Sequence, residues 1–153
     1  MSELTIHQLV PGDERRVHQL LDVFGEAFED EGTYGRARPA SSYLQWLLGS
    51  DTFIALVAQV DGDVVGGLAA YELHKLEQER SEIYLYDLAV RDSHRRRGIA
   101  TALIRRLQTV AAERGAWVVF VQADHGDDPA VALYTRLGMR EDVMHFDRPL
   151  PGA

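Results

Sequence analysis

The chain contains no cysteine. Disulfide frameworks, cysteine zinc sites and thiol nucleophiles are excluded with it. No apolar run approaches the length of a membrane span. The N-terminal MSELTIHQLV lacks a basic region and a long apolar core, so no signal peptide is expected and the cytoplasm is the expected location. Basic excess is missing too: 16 Lys and Arg stand against 24 Asp and Glu, a formal net charge of −8. That balance disfavours nucleic acid and favours a cationic partner. The six histidines show no H-E-x-x-H or comparable spacing, so no catalytic metal is expected. Repeats, linkers and low-complexity segments are also absent. What is present is 153 residues, 46% of them apolar, enough for one domain over 1–153 with a sizeable core.

One stretch organises the chain, from Tyr84 to Leu107: YLYDLAVRDSHRRRGIATALIRRL. Tyr84 to Val90 is aromatic and branched, which suits a strand. Arg91 to Arg97 is charged and aperiodic, hence a loop. From Ile99 the apolar residues Ile99, Ala102, Leu103, Leu107 and Val110 recur at helical spacing. A helix start presents unpaired N–H groups and the positive end of the macrodipole. Gly98 permits close backbone approach, Ala100 adds little bulk, and Arg95, Arg96 and Arg97 add charge. The pattern alone is compatible with a pyrophosphate site and with a solvated basic turn. It is neither a P-loop nor G-x-G-x-x-G.

Around this stretch the remaining elements follow. Leu4 to Leu9 alternates as a first strand. Asp13 then caps a helix whose face is Val17, Leu20, Leu21, Phe24 and Phe28. Its acidic end, Glu26, Glu29, Asp30 and Glu31, reads as a solvated terminus or the rim of a polycation site. Thr33 to Pro39 is a loop, and Ser41 or Ser42 caps a short helix ending at Gly49. Asp51 to Gln59 and Val64 to Leu73 form a hairpin turning at Asp61-Gly62-Asp63. Gly66-Gly67 signals a bulge or close packing. Trp117 to Val121 is a continuous apolar run and predicts a fully buried strand. Asp128 caps a helix through Leu137, with Pro129 at its first position. Arg140 to Phe146 is the expected last strand. The fold class is therefore α/β, a mixed sheet flanked by helices.

Two segments make the reading more specific. Arg95-Arg96-Arg97-Gly98-Ile99-Ala100 resembles the Gln/Arg-x-x-Gly-x-Gly/Ala motif of the GCN5-related N-acetyltransferases (GNAT), and Leu88-Ala89-Val90 resembles the strand end before it. Ala130 to Met139, AVALYTRLGM, resembles that family's A-x-x-L-Y-x-x-x-G-F segment. The resemblance covers about Phe53 to Phe146. Within the family, YDLAV, VQADHGDDPAVALYTRLG and EDVMHFD are most similar to class-I aminoglycoside 3-N-acetyltransferases. The resemblance implies the GNAT fold, with the sheet splayed between the fourth and fifth strands. It implies acetyl-CoA as co-substrate, bound along Leu88, Ala89 and Val90 and at Arg95, Arg96, Arg97, Gly98, Ile99, Ala100 and Thr101. It also implies Tyr134 as the acid that protonates the leaving sulfur.

The acceptor amine must be neutral to attack, so a base is needed. Asp87 is the first candidate, because a carboxylate inside an apolar, aromatic strand is costly unless used. A paired structural acid is the competing reading. Glu82 and Asp124 come next. Glu82 has the opposite strand parity from Asp87, so both face one cleft only if a bulge intervenes. Asp127 stands where many family members carry a coenzyme-contacting Asn, and is assigned to the acceptor instead. Asp87, Glu82, Asp124 and Asp127 are thus the acceptor-binding set for an aminoglycoside; His125 reads as an exposed loop residue. With no Cys or Gly-x-Ser-x-Gly nucleophile, direct transfer is expected rather than an acyl-enzyme. Acetylation of polyamines or another small amine, and a non-catalytic coenzyme A-binding module, stay open. So does a homodimer.

Overall fold

The computed structural model describes residues 3–152 and, of Arg36, the backbone alone. The chain forms two compact units, one running to Gln122 and one beginning at Ala123. In the first, the elements are β1 (Leu4–Gln8), α1 (Glu14–Ala27), a π-helical turn (Gly32–Arg36), α2 (Ser41–Leu48), β2 (Phe53–Val60), β3 (Asp63–His74), β4 (Ser81–Val90), a short 3-10 turn (Asp92–His94), α3 (Ile99–Glu113) and β5 (Ala116–Val121). The second unit contains α4 (Asp128–Leu137).

The sheet runs β1-β2-β3-β4-β5. β1 to β4 pair antiparallel, and β4 and β5 pair parallel across the α3 crossover. Side chains of a strand alternate between faces, so β2 divides its apolar run between two cores. Ala55 and Val57 pack with Val17, Leu20, Val23 and Phe24 of α1 and Leu44 of α2. Ile54 and Leu56 are fully buried on the other face, with Leu68, Ile83 and Leu85. There α3 supplies its buried Leu103, Leu107 and Val110.

Of the two alternatives at Gly66-Gly67, close packing is what the glycines show, and a bulge lies beside them. The β2–β3 register slips between Ala58 and Gln59, a bulge that leaves Val65 without an opposite residue. A Cβ on Gly67 would lie 2.4 Å from Leu20 Cδ1 and 2.6 Å from the Leu56 carbonyl oxygen, so α1 seats directly on glycine. The hairpin turns at Asp61-Gly62, both at positive φ (53° and 84°), as a two-residue turn requires.

Several expectations are corrected. β5 is not fully buried: Trp117 is 65% exposed and Val118 40%. It is the sheet's edge, and no described strand pairs on its far side, so its apolar run has one covered neighbour rather than two. Arg140 to Phe146 forms no strand; residues 139–150 are irregular, with Val143, Met144 and Phe146 exposed. An apolar-polar alternation makes a strand only where a ladder partner satisfies its backbone. Asp13 precedes α1 but makes no side-chain cap. Its carboxylate instead accepts from the Val10 N–H (2.9 Å) and Arg16 (2.8 Å). Neither Ser41 nor Ser42 is the N-cap of α2; Ala40 is, and the Ser41 hydroxyl donates to Glu14 at 2.6 Å. The cap of α4 is Asp127, whose carboxylate accepts from the Ala130 N–H at 3.4 Å, while Asp128 is the first helical residue.

Candidate active site

The parity problem in β4 is resolved by a bulge. Against β3, Leu85 pairs with Ala70 and Asp87 with Ala69, so Tyr86 is the extra residue. The slip moves Asp87 onto the face of Glu82 and Tyr84, opposite to Ile83 and Leu85. That face is the one α1 and α2 pack on. A bulge in a central strand re-aims a side chain at a cost in ladder bonds, and such bulges gather beside active sites.

At the same point β4 outruns β5, which ends at Val121. Their pairing ends at Leu85↔Val121, while β4 continues to Val90. The Tyr86–Val90 backbone therefore has no β5 partner. Beyond it the chain enters the 3-10 turn and reaches Gly98, the N-cap of α3, at φ +77°. Arg96 is also left-handed, at φ +61°. A Cβ on Gly98 would meet nothing within 4 Å, so the space before the helix start is open. Of the three arginines, Arg95 is committed to the turn, bonded to Asp92 (3.1 Å) and to the Val90 carbonyl (3.4 Å). Arg96 and Arg97 are exposed and pair with no carboxylate among the described residues. Open backbone N–H groups, a helix dipole and two unpaired guanidiniums suit a pyrophosphate.

Two acids are set into this sheet, and they differ. Glu72 is buried, yet the Ser81 hydroxyl (2.5 Å) and Arg114 (2.8 Å) bond it and hold its carboxyl below the usual range against the opposing effect of burial. It ties β3 and β4 to the end of α3. Asp87 has no such partners: it forms no hydrogen bond or ion pair among the described residues, and burial pushes its carboxyl up. A half-buried carboxylate without a donor is expensive unless a ligand completes it.

Around Asp87 lies a group of tyrosines that no sequence motif singles out. Tyr86 stands edge-on to Tyr71 (centroids 5.9 Å apart) and to Tyr84 (5.5 Å). Tyr84 stacks on Phe120 at 4.7 Å, and its hydroxyl donates to Gln122 at 2.6 Å. Tyr34 arrives from the π-helical turn, its ring against Phe28 and Phe24. Burial foremost, and after it the Asp87 charge, raises the Tyr34 phenol; burial, neighbouring tyrosines and Asp87 raise those of Tyr71 and Tyr84. The sequence signal for this cluster was the Tyr-x-Tyr-Asp spacing, which becomes a single surface only once the bulge is known.

Glu82, on the same face, lies 3.8 Å from Lys75, which is itself bonded to Glu77. At the acidic end of α1, Glu26 pairs with Arg91 at 3.0 Å and Asp30 accepts from the Thr33 N–H at 3.0 Å, so both have structural partners. A cleft of about 450 Å³ opens there between Glu26, Glu31, Arg38 and Arg91. In the second unit, Asp124, His125 and Asp127 are exposed and Tyr134 is half-buried on α4. Among the described residues no group of three or more His, Asp or Glu is arranged to hold a metal, and no helix is long and apolar enough to cross a membrane.

A five-stranded mixed sheet with one parallel pair, whose inner strand runs on past its neighbour towards a basic glycine turn at a helix start, defines a class, and comparison names it. Residues 17–139 match the Acetyltransferase (GNAT) family. The chain belongs to that family. It is similar to an aminoglycoside acetyltransferase from an uncultured soil metagenomic sample, with 58% identity over 97% of this chain and 99% of that one and a TM-score of 0.95. A second aminoglycoside acetyltransferase from such a sample, solved in complex with sisomicin, is 35% identical over 96% of each chain with a TM-score of 0.88. N-acetyltransferase family 8 member 2 of Rattus norvegicus is 31% identical over 90 residues, 59% of this chain and 40% of that protein. The chain thus spans 40% of the length of that curated relative.

Proposed function

We propose that residues 1–153 are one catalytic domain, acting in the cytoplasm, that moves the acetyl group of acetyl-CoA directly to an amine of an aminoglycoside and so confers resistance to the drug. The observation that carries the chemistry is Asp87, a half-buried carboxylate with no partner among the described residues, on the part of β4 that runs past the end of β5. The acceptor class is supported by the likeness to the two soil aminoglycoside acetyltransferases. Regiochemistry, the 3-amino group of the deoxystreptamine ring, is proposed on the resemblance of DLAV and ADHGDDPAVALYTRLG to the 3-N-acetyltransferases.

In this reading the Gly98 turn, with Arg96, Arg97, Ile99, Ala100 and Thr101, holds the coenzyme's pyrophosphate, and the edge of Leu88, Ala89 and Val90 away from β3, which has no β5 partner, holds its arm. When bound, the coenzyme supplies the thioester. Asp87 takes the proton of the incoming ammonium, freeing the nitrogen lone pair. The C–N bond would form as the C–S bond breaks, the C–S electron pair passing to sulfur, and the nitrogen, cationic once bonded to carbon, would release its second proton to solvent to leave the neutral amide. The Tyr134 hydroxyl is the proposed proton source for that sulfur. Asp124, Asp127 and Glu82 are proposed to take the acceptor's other ammonium groups.

Incubation with gentamicin and acetyl-CoA, followed by NMR of the product, tests the reading. The expected product carries its acetyl group on the 3-amino nitrogen. Acetylation elsewhere overturns the regiochemistry. Turnover of polyamines with none of any aminoglycoside overturns the acceptor class.

A further inference from the structure

Five of the chain's six tyrosines, Tyr34, Tyr43, Tyr71, Tyr84 and Tyr86, come from four separate elements and meet in one neighbourhood. Core packing accounts for Tyr34, which lies against the α1 core, but not for the group. Tyr86 is 60% exposed and Tyr43 50%, and neither Tyr34, Tyr71 nor Tyr84 is fully buried. Nor does the sheet need an aromatic at Tyr86, which is the bulged residue and has no opposite partner on β3. The architecture spends effort on placing these rings. Gly25, inside α1, brings its backbone to where a Cβ would lie 3.4 Å from that of Tyr34. The π-helical turn that carries Tyr34 is a rare conformation, frequent at functional sites. Arg38 pins it by donating to the Tyr34 carbonyl at 3.0 Å.

An aromatic face is the negative side of a quadrupole and attracts a cation; several faces beside a carboxylate that has no partner among the described residues attract it more strongly than either alone. The same faces take the C–H edges of a sugar or cyclitol ring by ordinary apolar contact. We propose that Tyr71, Tyr84 and Tyr86, together with Asp87 and flanked by Tyr34, form the subsite that receives an ammonium-bearing ring of the acceptor. The proposal rests on the acetyltransferase reading above, and it assigns acceptor recognition to aromatic rings as well as to acids. The rings hold the cation beside Asp87, and Asp87 alone takes its proton. Selectivity then follows from shape. A ring carrying its amine directly fills the faces, whereas a bare polyamine chain meets them only with its charge.

Tyr86→Leu and Tyr86→Phe test the subsite, since Tyr86 is exposed and either change leaves the core intact. Tyr86→Leu should raise the KM for gentamicin roughly 3- to 30-fold, the range a partly desolvated cation–π contact supports. Tyr86→Phe, which keeps the face and loses the hydroxyl, should stay within about twofold of wild type. The KM for acetyl-CoA and the melting temperature should not move in either variant. A Leu variant with wild-type acceptor KM, a Phe variant as impaired as Leu, or an equal rise in the coenzyme KM would each overturn the proposal. If spermidine but no aminoglycoside is acetylated, the acceptor class fails, and the same Leu-to-Phe comparison made with spermidine still decides the subsite. If no amine is turned over, calorimetric titration of gentamicin into the three proteins decides it; no binding to wild type overturns it.

Discussion

Asp87 and Glu72 show how little residue type decides by itself. Both are carboxylates on central strands, and both lose solvent on folding. Glu72 recovers its solvation from Ser81 and Arg114, and Asp87 from nothing in the described chain. Their consequences for stability have opposite signs. Glu72 has a lowered pKa, so it stabilises the fold above the unfolded carboxyl pKa and loses that contribution as pH falls through its folded value. Asp87 has a raised pKa, so the native state holds its proton more tightly than the unfolded chain does. Stability therefore falls as pH rises from the unfolded value through the folded one, and the penalty stays constant above. Asp87→Asn should melt higher than wild type at neutral pH, with the difference closing below about pH 4. If Asp87 is the base, the same variant should lose ~10²–10⁴-fold in kcat. Thermal melts across pH and steady-state rates check both halves. A variant less stable than wild type at pH 7 would mean that the carboxylate has a structural partner. The sequence already marked Asp87, because a charge in YLYDLAV is conspicuous. The tyrosines beside it were not legible, because aromatic residues in a strand usually mean core.

At the scale of elements, the sequence revealed what depends on local chemistry. Helix α3 with its glycine start, the hairpin with its left-handed Asp-Gly turn, and α4 with Pro129 in its first turn all follow from neighbours in the chain. It misled where pairing is non-local. Trp117 to Val121 is apolar enough to be buried, but its position at the sheet edge was decided by the order of strands. Arg140 to Phe146 has strand composition without a ladder partner. The bulge at Tyr86 lies between these cases, predicted only as the condition for Glu82 and Asp87 to share a face. Gly66-Gly67 was legible as a pair and ambiguous as a mechanism, and the structure gives each residue a use. Gly67 admits the Leu20 side chain of α1, and Gly66 lies where a Cβ would be 3.0 Å from the Ala89 carbonyl oxygen and 3.2 Å from Val90. Gly67→Ala forces Leu20 and the Leu56 carbonyl aside, an overpacking that should cost roughly 1–3 kcal/mol. Urea denaturation measures it. An unchanged midpoint would show that α1 lifts off the sheet without penalty, and a lowered activity at unchanged stability would instead tie the α1 seat to the placement of Tyr34.

For the molecule as a whole, the net charge of −8 sets long-range encounter. The two proposed ligands carry opposite signs. A polyphosphorylated coenzyme must find the small positive area of Arg96 and Arg97 on an acidic protein, so short-range hydrogen bonds have to hold it. A polyammonium acceptor is drawn by the whole acidic surface, and each of its charges adds to the attraction. The expected signature is an ionic-strength dependence that grows with the number of ammonium groups on the acceptor. Between about 0.05 and 0.5 M salt the Debye length falls from roughly 14 to 4 Å, so exposed carboxylates lose most of their reach. The kcat/KM of a tetra- or penta-ammonium aminoglycoside should drop severalfold over that range, while that of a monoamine acetylated by the same enzyme should change little. The tyrosine faces act at contact distance and are screened less, so the Tyr86→Leu variant should show a salt slope close to that of wild type, displaced to lower kcat/KM at every concentration. Stopped-time assays of both proteins with both acceptors give four slopes. Equal slopes for the two acceptors would remove charge from acceptor encounter. A flattened slope in the Leu variant would mean that Tyr86 acts by positioning the acidic groups rather than by meeting the cation itself.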